Sequence, residues 1–589
     1  MPLRIPIVLL TLFCLNIPLL AQSASRLNNA KPLASFEKKI KENLEAAAAE
    51  SATLKIPENR VFFYFRVADL LWDFDEEGAR ALIEESRSAL GRLVSAPGNN
   101  PFNSMIGHYH QQLRGEIVEA LARRDPQLAL DFMRGTKPVA PPGDAAKWAA
   151  DAEVGLEEQL AMKIAENDPA RAMRLAEESL DKGISFQLNG LVETVVAKDP
   201  EAAKKLVGKI FDKLKATDLT KDESAASFLF WFLDEEFKSR RPELTPGEKR
   251  YGATRRKPAL SDQSLLEWSN FAGAAALSII SGAAQNNDAP GDSGNLISGA
   301  VSLLPDMEKI SPAVVANIRR KYAGVRQKLN ESTRRFVEEN DIRRNGKVED
   351  FLELAEKAQG AERGDYLRMA VQKAVDYDAD FDRARNIIDE KITEPNERKS
   401  EIAFVELAHA QSAAEQGKID EALASLAHLE SDDERARTLG HIIETALTAG
   451  NKKIAAQLLE KAIGAMPPQI ETSKQFEAMS RIIRGLAETD AERAFALYES
   501  LIEPINQIAS AYIQMCRFDG SGYGVETKDE MLIRKGSTAT QAILAFVEET
   551  KSLARSDFDR AMSLAGRFRQ TELRVYAELN AIQAVSSKR

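Results

Sequence analysis

The sequence predicts an all-α chain, an α-solenoid of antiparallel helical hairpins with an irregular middle segment. Three observations predict it. The composition is 44% hydrophobic and 29% charged with only 7% aromatic, and Ala, Leu, Glu, Lys and Arg dominate it, a mixture that favours helices. Apolar residues recur at helical spacing, and no segment alternates convincingly with period two. One helix-start pattern returns along most of the chain, and 589 residues exceed what one compact core usually holds.

The pattern is Asp, three residues, a small Ala, then an apolar residue three further on. It occurs as Asp75/Ala79/Leu82, Asp125/Ala129/Phe132, Asp168/Ala172/Leu175 and Asp199/Ala203/Leu206. It returns as Asp380/Ala384/Ile387, Asn451/Ala455/Leu458, Asp490/Ala494/Leu497 and Asp557/Ala561/Leu564. A ninth copy has Lys418 and Ala422 but Ser425 at the apolar position, where Leu426 is expected to take over the packing. Asp and Asn are preferred helix N-caps, because their side-chain oxygen accepts from free first-turn N–H groups. Pro126, Pro169 and Pro200 follow three of these caps, at the first helical position, which suits proline. The Ala then faces inward, where a small side chain lets a neighbouring helix approach.

The intervening helices carry matching stripes. Leu439, Ile442, Ile443, Ala446 and Leu447 follow i, i+3, i+4, i+7, i+8, as do Met479, Ile482, Ile483, Leu486 and Ala487. Ile505, Ile508, Ala509, Tyr512, Ile513 and Cys516 form another. Between Ala384 and Ala494 the spacings of the small residue are 38, 33 and 39 residues, enough for two helices and two turns. Gly417 and Gly450 sit where one helix ends and the next begins.

Here the chain resembles the tetratricopeptide repeat family. In Leu407–Leu426 the matching positions are Ala408, Gly417, Glu421, Ala422 and Leu423, and Leu439–Ile463 is similar with Gly450 and Ala455. The likeness runs in register over about 350–500 and omits the family's usual Trp and Tyr positions. It implies stacked hairpins with a concave groove for peptide or protein partners.

Other segments depart from the repeat. Residues 1–23 read as a secretory signal peptide: Arg4, the apolar Ile5–Leu20, then Ala21-Gln22-Ser23 before cleavage. Phe13 before Cys14 does not suit a lipoprotein signal, and the prolines at 6 and 18 argue against a stable membrane span. Cleavage leaves Cys516 alone, and export without disulfides fits a bacterial periplasm, or secretion. Residues 24–237 are expected to be N-terminal helical repeats and 311–589 C-terminal ones. Between them, 238–310 holds a basic loop (238–257), an apolar helix near 264–285 and a linker. That helix is expected to be buried between others, Pro312–Asn340 to be one long charged helix, and 519–536 to be a loop.

Chemistry is sparse. A net charge of −11 disfavours nucleic acid, and five histidines leave few metal ligands. Gly291-Asp292-Ser293-Gly294 reads as a polar turn, not a nucleophile. On a helix His108 and His110 point apart; on a loop they could share a metal with Glu116, but the pair reads as surface histidines near a helix start. Glu499-Ser500 lacks the context of a glycan-cleaving centre. The basic cluster of Arg240, Arg241, Lys249, Arg250, Arg255, Arg256 and Lys257 reads as a solvated loop, and Cys516 as buried and inert. No catalytic, cofactor-binding or metal residue is expected. The expected function is an exported, non-catalytic helical-repeat protein that binds a protein or peptide partner or scaffolds an envelope complex. The alternatives are an enzyme using paired carboxylates on glycan or peptide, and a peripheral envelope component.

Overall fold

The structure, a computed structural model, describes residues 18–95, 105–139, 145–243, 256–283, 292–466, 470, 472–519, 529–533 and 538–586. Helices fill it, and no strand occurs among the described residues. The chain is a helical-repeat solenoid.

The recurrent pattern marks the second helix of each hairpin. Asp75 accepts from the Gly78 amide at 2.9 Å, Asp168 from Arg171 at 3.0 Å and Asp199 from Ala202 at 3.0 Å. Asp125 takes the Gln127 and Leu128 amides, Asp380 that of Arg383, Asn451 that of Ile454 and Asp557 that of Arg560. Asp490 directly precedes the Ala491–Asp519 helix. All nine small residues are buried, eight at 0% exposure and Ala203 at 1%. A larger side chain there would displace the neighbouring helix, so the alanines set the stacking distance. The third position is buried in Phe132, Leu175, Leu206, Ile387, Leu458 and Leu564. Leu82 and Leu497 are only half-buried, and the next residues, Ile83 and Tyr498, fill those layers.

The ninth copy differs from expectation. Ser425 is buried at 1% exposure while Leu426 stays half-exposed. The helix tightens into a 3₁₀ turn over Ser425–His428, which turns Ser425 inward, where its hydroxyl bonds His409 Nδ1 at 2.9 Å. Gly417 and Gly450 have φ of 75° and 78°. In each case the next residue's amide donates to the carbonyl five back, Lys418 to Ala413 and Asn451 to Ala446, which closes the helix in a left-handed cap.

The chain forms two compact units, Leu90–Asp490 and Met1–Ala89 with Ala491–Arg589. Neither boundary falls in 238–310. Within it the described residues form the helices Asp262–Ala283, Asp292–Ser302 and Leu304–Glu308. The apolar helix spans Asp262–Ala283 and buries Leu265, Trp268, Ala272, Ala276 and Ile280. A Cβ on Gly273 would come within 2.1 Å of Val314, so glycine lets the Pro312–Val325 helix pack on it. The expected long helix from Pro312 is broken. Arg326–Lys328 forms a 3₁₀ turn, and Asn330 caps a new helix, Glu331–Asn345, by accepting from the Thr333 amide at 2.7 Å.

In the other unit the helices near both chain ends pack together. The Thr571–Ser586 helix lies against Pro18–Ser51 and Pro57–Leu71. Phe36 meets Phe558 edge-on at 5.5 Å, and Tyr498 stacks on Phe546 at 4.4 Å. Arg574 pairs with Glu50, and Lys39 with Asp559 at 2.6 Å. The Pro18–Ser51 helix runs across the expected cleavage position, and residues 1–17 lie outside the described residues.

Candidate peptide-binding groove

In the 90–490 unit the first helices of successive hairpins lie side by side. Met105–Arg124 packs on Ala145–Ala165, that helix on Leu188–Lys198, and Glu223–Ser239 on Asp292–Ser302. On Met105–Arg124 and Ala145–Ala165 a partly exposed stripe that includes Gln111, Gln112, Glu116, Asp151 and Gln159 is left on the outside. Between the first three of these helices runs a groove of about 480 Å³. Gly115 and Gly155 form part of its floor. A Cβ at either would make only ordinary contacts, at 3.9 Å and 3.5 Å. The missing side chains therefore leave open space rather than relieve a clash.

The walls carry carboxylates and amides. Glu116, Glu119 and Asp151 line the groove with Gln111, Gln112 and Gln159. Glu116 accepts from Gln112 at 2.8 Å. Glu119 takes Gln159 at 3.3 Å and Lys163 at 3.0 Å, and that bond to Glu119 holds the Lys163 ammonium above its ordinary value. Gln111 Nε2 is buried without a hydrogen-bond partner, a donor left over for a carbonyl. At the groove's end Phe186 stands half-exposed, at 50%, in the turn before Leu188–Lys198. Its ring meets Trp231 edge-on at 4.9 Å. Phe186 also walls a second cavity of about 230 Å³, with Phe230, Asn295 and the paired Asp234 and Arg344.

Two buried polar anchors hold the groove's shape. Arg114, at 1% exposure, donates to both Glu153 oxygens at 2.5 and 2.8 Å, to Thr136 Oγ1 at 3.1 Å and to the Met133 carbonyl at 2.7 Å. It locks Met105–Arg124 to Ala145–Ala165 behind the floor. Glu158, fully buried, receives the Ser185 and Ser179 hydroxyls. Ser185 in turn accepts the Gln187 amide at 3.1 Å, which fixes the turn carrying Phe186. Burial pushes the Glu158 carboxyl up to about 7 despite these donors.

The residues weighed from sequence are dispersed. His108 is exposed, but His110 is buried at 0%. They do face apart, and only one is a surface histidine, because position 110 falls on the helix's inner face. Glu116 joins the groove instead. Glu499 pairs with Arg567 at 2.5 Å and Ser500 donates to the Leu497 carbonyl. Cys516 is buried. Asp292 opens a helix rather than a loop, and Gly291 lies outside the described residues. Of the basic cluster, Lys249, Arg250 and Arg255 lie outside too. Arg240, Arg241 and Arg256 are not simply solvated: they pair with Asp262, Asp306 and buried Glu236.

One constellation was not singled out from sequence. Ser425 Oγ lies 2.9 Å from His409 Nδ1, and His409 Nε2 lies 3.0 Å from Glu421. It resembles a serine triad but cannot act as one. Arg385 already donates to Nδ1 at 2.7 Å, so that nitrogen's lone pair is engaged, and Ser425 is too buried to reach a substrate. Among the described residues no group of three or more His, Cys, Asp or Glu is placed to hold a metal ion, and no helix is long and apolar enough to cross a membrane.

No protein-family model and no curated protein matches the sequence. Three solved structures align over most of the chain. The full-length AP-3 complex is 11% identical with TM-score 0.29, covering 98% of this chain and 94% of that one. Importin beta is 10% identical with TM-score 0.30, covering 94% and 76%. A circular tandem repeat protein is 12% identical with TM-score 0.13, covering 92% and 99%. At these TM-scores the likenesses carry no argument about function.

Proposed function

We propose that this chain is an exported, non-catalytic helical-repeat protein whose first-helix groove holds an extended peptide segment of a protein partner. The observation that carries this is the groove itself: a glycine floor, amides for main-chain groups, and an aromatic wall. Its carboxylates, Glu116 among them, favour a segment bearing Lys or Arg. An apolar side chain two or three residues away then packs on Phe186. The repeat class is read as tetratricopeptide-like over 350–500, supported by the capped glycines 417 and 450. Export rests on residues 1–23, and a scaffolding role in the envelope follows from both.

Fluorescence anisotropy on chain beginning at residue 24 tests the reading with labelled nine-residue peptides. One set pairs Lys or Arg with Leu or Trp, and a matched set replaces the basic residues by Glu. The basic set should bind at roughly 10–100 μM, and Phe186→Ala or Gly115→Leu should weaken it about tenfold, near 1.4 kcal/mol. Equal binding of both sets, or indifference to both substitutions, sinks the groove. Fractionation tests export separately: recovery in the cytoplasm only would refute it.

A further inference from the structure

The unit of residues 1–89 and 491–589 contains a second, differently built arrangement. Residues 529–533 form neither helix nor strand, yet Glu530, Met531, Leu532 and Ile533 are buried, at 4% exposure or less. Helix side chains take up the main chain of this stretch. The Asn59 carboxamide spans two residues of it, donating to the Met531 carbonyl at 2.8 Å and accepting from the Ile533 amide at 2.9 Å. Glu572 accepts from the Met531 amide at 2.8 Å. The Glu530 carboxylate receives Asn59 Nδ2 at 2.8 Å, the Lys55 amide at 2.5 Å and the Ile56 amide at 3.3 Å. The last two are the free amides leading into the Pro57–Leu71 helix, where the helix dipole favours an anion.

Side-chain capture of main-chain groups is how a helical surface holds a peptide that cannot join a sheet. It recognises backbone together with one carboxylate, and leaves the apolar positions to packing. We propose that the cleft between the Pro57–Leu71 and Thr571–Ser586 helices is a peptide-binding site, that Glu530–Ile533 is its resident ligand, and that a partner segment of the same chemistry, one acidic residue followed by three apolar ones, binds there in its place. The site is independent of the acidic groove in the other unit and prefers the opposite charge. The resident segment competes from the same chain, at an effective concentration of order millimolar, so the partner must outbid it or act where the segment is released.

The probe is a labelled, end-blocked peptide of the sequence Lys-Asp-Glu-Met-Leu-Ile-Arg-Lys. A chain with residues 530–533 replaced by Gly-Ser-Gly-Ser should bind it at least a hundredfold more tightly than the intact chain does. Adding Asn59→Ala should weaken that binding tenfold or more, and a peptide with Lys for Glu should not bind. A folded, replaced chain that ignores the probe overturns the proposal. If the replaced chain does not fold, hydrogen exchange on the intact chain decides. Excess probe should then speed exchange of the Met531 and Ile533 amides, and unchanged protection at saturating probe overturns the proposal equally.

Discussion

Replacing Arg114 by Met removes the guanidinium that joins two first helices and leaves its partners in place. Arg114 is 1% exposed and Glu153 15%, so neither charge is well solvated. The side chain makes bonds to both Glu153 oxygens, to Thr136 and to the Met133 carbonyl. Breaking a buried pair from one side costs about 3–5 kcal/mol, because the orphaned charge stays buried. Amide hydrogen exchange in the Met105–Arg124 and Ala145–Ala165 helices should therefore speed up by roughly 10² to 10⁴, at about 1.4 kcal/mol per decade. Removing both charges, Arg114→Met with Glu153→Leu, should recover most of the loss. Two results refute the reasoning: a single substitution costing under about 1 kcal/mol, or a double as costly as the single. In the latter case packing of the Arg stem, not the buried charge, would be the cause.

Other outcomes follow from the same geometry. Glu158 titrates near 7 against an ordinary 4.5, so the folded chain binds the extra proton between these values and stability falls as pH rises through that window. The loss amounts to about 3 kcal/mol at most. Urea unfolding should show it, and Glu158→Gln should flatten the profile; Glu572 and Glu578, also raised to about 7 by burial, contribute with the same sign in the other unit. Gly450→Ala places a side chain at φ 78° and should cost about 1–2 kcal/mol. Gly464→Ala, with nothing within 4 Å of an added Cβ, should be neutral or slightly stabilising. Ala455→Leu, at a fully buried site between helices, should destabilise by about 1–3 kcal/mol or more, seen as a lower thermal midpoint.

The stacking was legible because it is written in short-range terms. A cap such as Asp199 and its small Ala203 lie four residues apart, and both do in the structure what local chemistry asks of them. The capped glycines 417 and 450 were legible for the same reason. The Pro312–Asn340 stretch was misjudged because its continuous charged pattern hid the cap at Asn330, and Ser425 because a 3₁₀ turn shifts which residue faces inward. The groove was hidden for a different reason. Most of its residues sit on first helices, from Gln111 to Gln159, that have no shared start pattern, and they come together with Phe186 only through stacking. A faint signal existed in the mid-helix glycines 115 and 155, which no turn requires. The segment at 529–533 was expected as part of a loop, but its capture had no signal, because its partner Asn59 lies 474 residues from Ile533.

The nine buried alanines have one more consequence. They place much of the stacking code on the second helices, while the groove is drawn mostly by side chains of the first. Two vocabularies thus occupy separate strips of the same hairpin. Apart from Ser185, which holds buried Glu158, the groove's lining can be rewritten, residue by residue, with little toll on how the hairpins stack. A chain built this way is a ready scaffold for exchanging one ligand preference for another: graft the outward stripe, keep every alanine.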